Sequence, residues 1–291
     1  MTDIRVAVPR KGRPLEAVLE RVATTAAQPG VADDIISTLR YEKAITKGNQ
    51  SAEAPLYDRL ADYSDTTDPS RPEFSLLRDD RAGMPRRIVF DSVTLDVEGT
   101  TVELVGREEP FRALRKHEFA LGFDSADLVL EEVVGIESEP LSALDQLNDR
   151  IDPRDTDVRV VGGLGDTVDH TLLSTPDVAT DPDRSFLEDY EGPLCISPRY
   201  ERLVRAILGS DAMEGISFRY PDGREEEAAI ASVGIGVYLT VTGSTARDHG
   251  LEVGERLFPS ETVLLENPAE RDEAVGRVGE LLAGGAEAVV R

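Results

Sequence analysis

Apolar and polar positions follow two rhythms along this chain: short continuous apolar runs, and apolar residues at helical spacing. Residues 4–8 (Ile4, Arg5, Val6, Ala7, Val8) have the pattern of a short buried strand. A basic turn, Pro9-Arg10-Lys11-Gly12-Arg13-Pro14, follows. Residues 15–25 then place Leu15, Val18, Leu19 and Val22 on one helical face. The rhythm breaks within residues 30–90. From 45 to 85, polar residues and Pro55, Pro69, Pro72 and Pro85 interrupt it, and the stretch reads as an irregular or partly helical insertion. Residues 87–90, 93–97 and 101–105 read as short strands, with Glu98-Gly99 as a hairpin turn. Residues 109–116 read as a helix, 119–123 as a buried strand and 127–134 as a helix. Strands at 158–164, 170–174 and 194–197 precede a helix at 199–208. The last third repeats the theme, with strands at 216–220, 237–241 and 262–265 and helices at 225–233 and 270–282. Strands alternating with helices predict an α/β fold with mostly parallel sheets flanked by helices.

Charge narrows the function. Asp and Glu total 57 against 32 Lys and Arg, a formal net charge of −25 over 291 residues. Such a field repels phosphate backbones and anionic lipid, so neither nucleic acid nor a membrane is an expected partner. The acid is spread along the chain among apolar runs, unlike a disordered acidic tail. It suits a solvated surface at high salt, where self-repulsion is screened, and so a halophilic protein. The single cysteine, Cys195, excludes an internal disulfide and a cysteine-based metal cluster. No residue spacing suggests a metal site. No stretch approaches a membrane span and no apolar signal core opens the chain, so a cytoplasmic location is expected.

The segment richest in chemistry is residues 238–251, YLTVTGSTARDHGL. A strand runs into Thr242-Gly243-Ser244-Thr245, where three hydroxyls surround a glycine that permits a tight turn and close approach of backbone N–H groups. Such a turn can cradle a phosphate, and a helix starting near Ser244 would add its dipole. The same residues also suit an ordinary turn with a helix cap.

This segment resembles the phosphoribosyl-diphosphate loop of ATP phosphoribosyltransferases, whose pattern is Asp-Leu-Val-x-Thr-Gly-x-Thr-Leu. Leu239, Thr242, Gly243, Thr245, Gly250 and Leu251 match it. Val263-Leu264-Leu265-Glu266-Asn267 is similar to the strand ending in Asn that follows in the family. Val6 to Arg13 resembles the family's opening strand and its Lys-Gly-Arg loop. Residues 102–130 and 162–174 resemble the next two segments in the same order. The departures are specific. Tyr238 stands where the family has an Asp expected to hold ribose hydroxyls, Ala246 follows Thr245, and Ser125 replaces a Gly. After Asn267 only a helix's worth of sequence follows, so the family's C-terminal regulatory domain is expected to be absent.

The resemblance implies two α/β lobes of the type II periplasmic-binding-protein kind, closing over a cleft. The expected division is residues 1–172 plus 262–291 (with the insertion at about 30–90) and 173–261, the second lobe carrying the loop. It implies transfer of phosphoribosyl from phosphoribosyl diphosphate to ATP in histidine biosynthesis, with Mg²⁺ on the diphosphate. Thr242, Gly243, Ser244 and Thr245 would bind phosphoribosyl diphosphate. Lys11 and Arg13 would offset charge as the catalytic pair, and Arg107, Asp127 and Glu225 would contact the nucleotide. A homo-oligomer or pairing with a regulatory subunit fits the same picture. Tyr238 keeps two alternatives open: a non-catalytic regulator binding a nucleotide or phosphometabolite, and a phosphoribosyltransferase with another acceptor.

Overall fold

The computed structural model describes residues 4–78, 86–222 and 225–284, so Pro85 of the expected insertion lies outside the described residues. The described residues form two compact units. The first holds residues 4–124, 157–164 and 262–284, and the second holds Ser125–Thr156 and Gly165–Glu261.

The first unit is built on a seven-stranded sheet. Its strands in chain order are β1 (Ile4–Pro9), β2 (Glu73–Arg78), β3 (Arg86–Val97), β4 (Thr100–Arg107), β5 (Leu121–Ser125), β6 (Arg159–Gly163) and, last, β12 (Thr262–Glu266). Their spatial order is β2-β3-β4-β1-β5-β12-β6. β1 runs parallel to both β4 and β5. Val6, Ala7 and Val8 are wholly buried, which is why this strand reads as an apolar run rather than an alternation. The helix α1 (Gly12–Thr25) buries the predicted stripe of Leu15, Val18, Leu19 and Val22. Each such side chain contributes about 1.5–3 kcal/mol by leaving water. The short helix α4 (Pro110–Arg115) packs on β1 and β4.

The stretch expected to be an irregular or partly helical insertion holds, among its described residues, two helices and a strand: α2 (Pro29–Thr46), α3 (Leu56–Tyr63) and β2. Pro29 takes the first helical position of α2, where its missing N–H costs nothing. α2 packs on α1 and β3 through Ala32, Ile35 and Ile36, and its apolar stripe is interrupted by the buried Glu42. Arg59 of α3 offsets that charge, its Nε and Nη2 donating to the two Glu42 oxygens at 2.7 and 2.9 Å. The Tyr63 hydroxyl donates to the same carboxylate at 3.0 Å. The separate strands expected at 87–90 and 93–97 are one strand, β3.

The second unit carries β7 (Val168–Ser174), β8 (Gly192–Cys195), β9 (Ile216–Arg219), β10 (Ile235–Thr240) and β11 (Glu252–Ser260), in the order β11-β7-β10-β8-β9. Around them lie α5 (Ala126–Glu132), α6 (Arg184–Glu188), α7 (Glu201–Leu208), α8 (Glu226–Val233) and α9 (Ser244–Asp248); α10 (Glu273–Ala283) returns to the first unit. Cys195 ends β8 and is buried, and its thiol is pushed up to about 11, by burial and then by the charge of Glu226.

Two expectations are corrected. Both sheets are mixed rather than mostly parallel. The β2-β3-β4 meander and the β12–β6 pair are antiparallel in one sheet, and β7 runs antiparallel to both β10 and β11 in the other. The first division also moves. β7 pairs only within the second sheet, so residues 165–172 belong with the second unit, as does the segment 125–156.

Candidate functional site

The basic turn lies where β1 ends. Pro9 is the register partner of Arg107 at the end of parallel β4, so turn and Arg107 share the carboxyl-terminal edge of the sheet, where α/β folds place ligands. The three cations of the turn divide their work. Arg10 is turned inward: its Nε donates to the Phe90 carbonyl at 3.2 Å, and its Nη2 reaches Asp91 at 3.1 Å and the Ser75 hydroxyl. Lys11 sits in extended backbone before α1, and Gly12 takes the left-handed conformation (φ 83°) that lets the chain enter the helix. Lys11 and Gly12 line a 270 Å³ pocket together with residues of α1, α2 and β3. Arg13 is exposed on the first turn of α1. The Arg107 guanidinium stacks 5.0 Å from the centre of the Phe119 ring, which Arg5 also covers at 5.1 Å.

In the second unit, β10 ends at Thr240, one residue before the expected end, and the hydroxyl turn follows. Gly243 adopts φ 69° and ψ 15° and precedes α9. It is buried while Thr242, Ser244 and Thr245 are exposed around it. A Cβ at 243 would lie 2.7 Å from Cγ2 of Val253, so both backbone angle and space demand glycine. The Thr242 hydroxyl lies 3.2 Å from that of Ser244 and accepts from the Ser244 N–H at 3.4 Å. Arg247, which sequence reading passed over, donates from Nη1 to the Thr242 carbonyl at 2.9 Å and ties the turn to its helix. Its signal was faint: a lone cation five residues beyond the first turn residue.

Glu225 comes next to this turn. It stands before α8, exposed, with one carboxylate oxygen 3.6 Å from His249 Nε2. His249 Nδ1 in turn lies 3.0 Å from the Thr245 carbonyl. Asp127 has other company. It is buried in the first turn of α5, 3.0 Å from Nε2 of the wholly buried His170. Tyr200 packs edge-on against that imidazole at 5.1 Å. Burial and then the Asp127 charge push the Tyr200 hydroxyl up to about 12. Tyr238 is paired with Thr171 of β7. Its phenol is raised by burial first, then by the charges of Glu226 and Glu227. Among the described residues, no group of three or more His, Cys, Asp or Glu is placed to hold a metal ion. Nor is any described helix long and apolar enough to cross a membrane.

Three solved structures similar to this chain are the ATP phosphoribosyl transferase (HisG:HisZ) complex from Thermotoga maritima, YhfZ from Shigella flexneri and an ancestral arginine-binding protein bound to arginine. The first is 13% identical over 97% of each chain, with a TM-score of 0.44. The second is 9% identical over 99% of each chain, with a TM-score of 0.40. The third is 10% identical over 64% of this chain and 75% of that one, with a TM-score of 0.37. No curated protein sequence matches the chain. The family model of halobacterial ATP phosphoribosyltransferase, in contrast, matches residues 1–290. The chain belongs to the halobacterial ATP phosphoribosyltransferase family.

Proposed function

We propose that this protein is a working ATP phosphoribosyltransferase, joining the phosphoribosyl group of phosphoribosyl diphosphate to N1 of ATP and releasing diphosphate. The observation that carries the reading is the Thr242–Gly243–Ser244–Thr245 turn. It combines a left-handed glycine with no room for a side chain, three exposed hydroxyl residues and a helix start. The hydroxyls and N–H groups of such a turn suit the 5-phosphate of a ribose.

The reaction asks for positioning and charge stabilisation rather than a covalent intermediate. The C1–diphosphate bond breaks as N1 of ATP bonds to C1, and the diphosphate leaves with the electron pair. Lys11 and Arg13 would offset the charge of the two anionic substrates, and Arg107 would add to the same basic edge. Glu225 would approach the ribose from beside His249, taking with Glu226 the place of the missing carboxylate at 238. Asp127 would act from within, as an acceptor oriented by His170. Mg²⁺ would arrive with the substrate diphosphate, coordinated mainly by phosphate oxygens and water.

The test is diphosphate release by the purified protein with ATP, phosphoribosyl diphosphate and Mg²⁺ at high potassium chloride. Release that needs both substrates, and is lost in Thr242→Ala combined with Gly243→Val, supports the transferase. One observation favours a second reading: position 238, where the resemblance expects a carboxylate, holds a half-buried tyrosine whose phenol is raised by burial and by the charges of Glu226 and Glu227. Substrate binding without release would assign the chain to a regulator or to a transferase with another acceptor.

A further inference from the structure

The chain has 28 arginines but only four lysines: Lys11, Lys43, Lys47 and Lys116. Three of the four line one pocket. Lys11 comes from the turn after β1, and Lys43 and Lys47 from the last turn and end of α2, and Arg87 of β3 also lines it. The pocket, 270 Å³, lies wholly within the first unit and is near the lower end of small-ligand sites. Two acidic residues also line it, and each is held by an arginine outside the lining. Glu16 pairs with Arg40 at 2.6 Å, and Glu42 is gripped by Arg59 at 2.7 and 2.9 Å. Both lining carboxylates are thus paired with arginines that do not line the pocket, while four cations are among its lining residues.

This gathering needs an explanation in a protein of net charge −25. Lys43 and Lys47 are four residues apart on one helix, so they share a face and repel each other. Their place at the carboxyl end of α2 lowers that repulsion through the helix dipole, but it does not account for Lys11 and Arg87 converging on the same space. A concave positive site inside a negative field concentrates anions, and compact ammonium groups serve well as point charges for phosphate.

We propose that this pocket binds a polyphosphate group, with Lys43 and Lys47 of α2 completing a site begun by Lys11. Two sources share that chemistry: the triphosphate tail of ATP, and the diphosphate of phosphoribosyl diphosphate. Assignment of the ligand to a substrate rests on the transferase reading above, whereas the polyphosphate site does not.

The experiment is calorimetric titration of inorganic tripolyphosphate into the full chain at about 0.15 M and about 1 M salt. The proteins compared are wild type, K43Q, K47Q, the K43Q/K47Q pair, and a control pair, R154Q/R205Q, that removes equal charge from the second unit. Lysine-to-glutamine substitution is expected to weaken binding about five- to tenfold per residue at the lower salt, with the control pair near wild type. The single variants carry the test if the pair does not fold. Absence of tripolyphosphate binding by wild type overturns the proposal. So does equal affinity in the lysine variants, or an equal loss in the control pair. Displacement of tripolyphosphate by ATP or by phosphoribosyl diphosphate identifies the source, and displacement by neither overturns the assignment to a substrate. Lysine-dependent binding in a protein without turnover sinks the transferase reading and leaves the site standing.

Discussion

His170 and Asp127 meet at 3.0 Å, the imidazole wholly buried and the carboxylate nearly so. A carboxyl group buried in such a place depends on its partner. His170→Ala is therefore expected to destabilise the protein by about 3–5 kcal/mol. Asp127→Asn, which keeps an acceptor for the ring N–H, is expected to cost only about 1–2 kcal/mol. Chemical unfolding at fixed salt measures both. Equal costs would mean that burial of charge is not what the pair resolves.

Glu42 and Arg59 present the same problem inside the first unit. Arg59→Ala strands the Glu42 carboxylate and is expected to cost about 3–5 kcal/mol. Replacing both, as Glu42→Gln with Arg59→Met, is expected to return most of that stability, because no charge is then left unpaired. A double-mutant cycle by denaturant titration reads the coupling.

Gly243 is constrained twice, by φ 69° and by Val253 at 2.7 Å from the Cβ site. Gly243→Ala is expected to lose about 1–2 kcal/mol from the backbone angle alone, plus the cost of the clash. Val253→Ala in the same protein should recover only the clash component. Thermal unfolding of the three variants separates the two contributions.

Alkaline pH offers a further check. Burial, with the neighbouring Glu42, pushes the Tyr63 hydroxyl from 10.0 to about 12, and burial with Glu226 pushes the Cys195 thiol from 9.0 to about 11. Both groups hold their protons more tightly folded than unfolded. Their contributions are complete below the ordinary values and are lost as pH rises through the raised ones. Stability is therefore expected to fall between about pH 9 and 12. Tyr63→Phe should flatten the upper part of that decline and Cys195→Ala the lower part. A decline unchanged in both would assign it to other groups.

Much of the fold was legible because its signals are local. The β1 run and the α1 stripe need only neighbouring residues, and so does the strand–turn–helix of β10 and α9. α2 was not legible, because its apolar period breaks at Glu42 and only Arg59, seventeen residues on, explains a buried charge there. β11 escaped for another reason. Its register shifts near Arg256 and Phe258 destroy the alternation, and Pro259 sits near the end of an edge strand, where its missing N–H is tolerated. The division into units failed at β7, whose strand pattern is plain but whose partners β10 and β11 lie more than sixty residues away. At the candidate site, Glu225 comes to the turn only through His249, whose Nε2 lies 3.6 Å from its carboxylate, a link that no spacing in the sequence showed. The lysine pocket did not show, since Lys11 meets Lys43 and Lys47 only after α2 folds back over α1.

Cys195 has a practical consequence. It is the sole sulfhydryl in the chain, buried and protonated near neutral pH. Alkylating dyes react with the thiolate, so the native protein is effectively silent toward them. A second cysteine placed at the exposed Val241, beside the hydroxyl turn, would be the only position to take a fluorophore. The wild-type sequence is thus already a single-label background for watching ligands arrive.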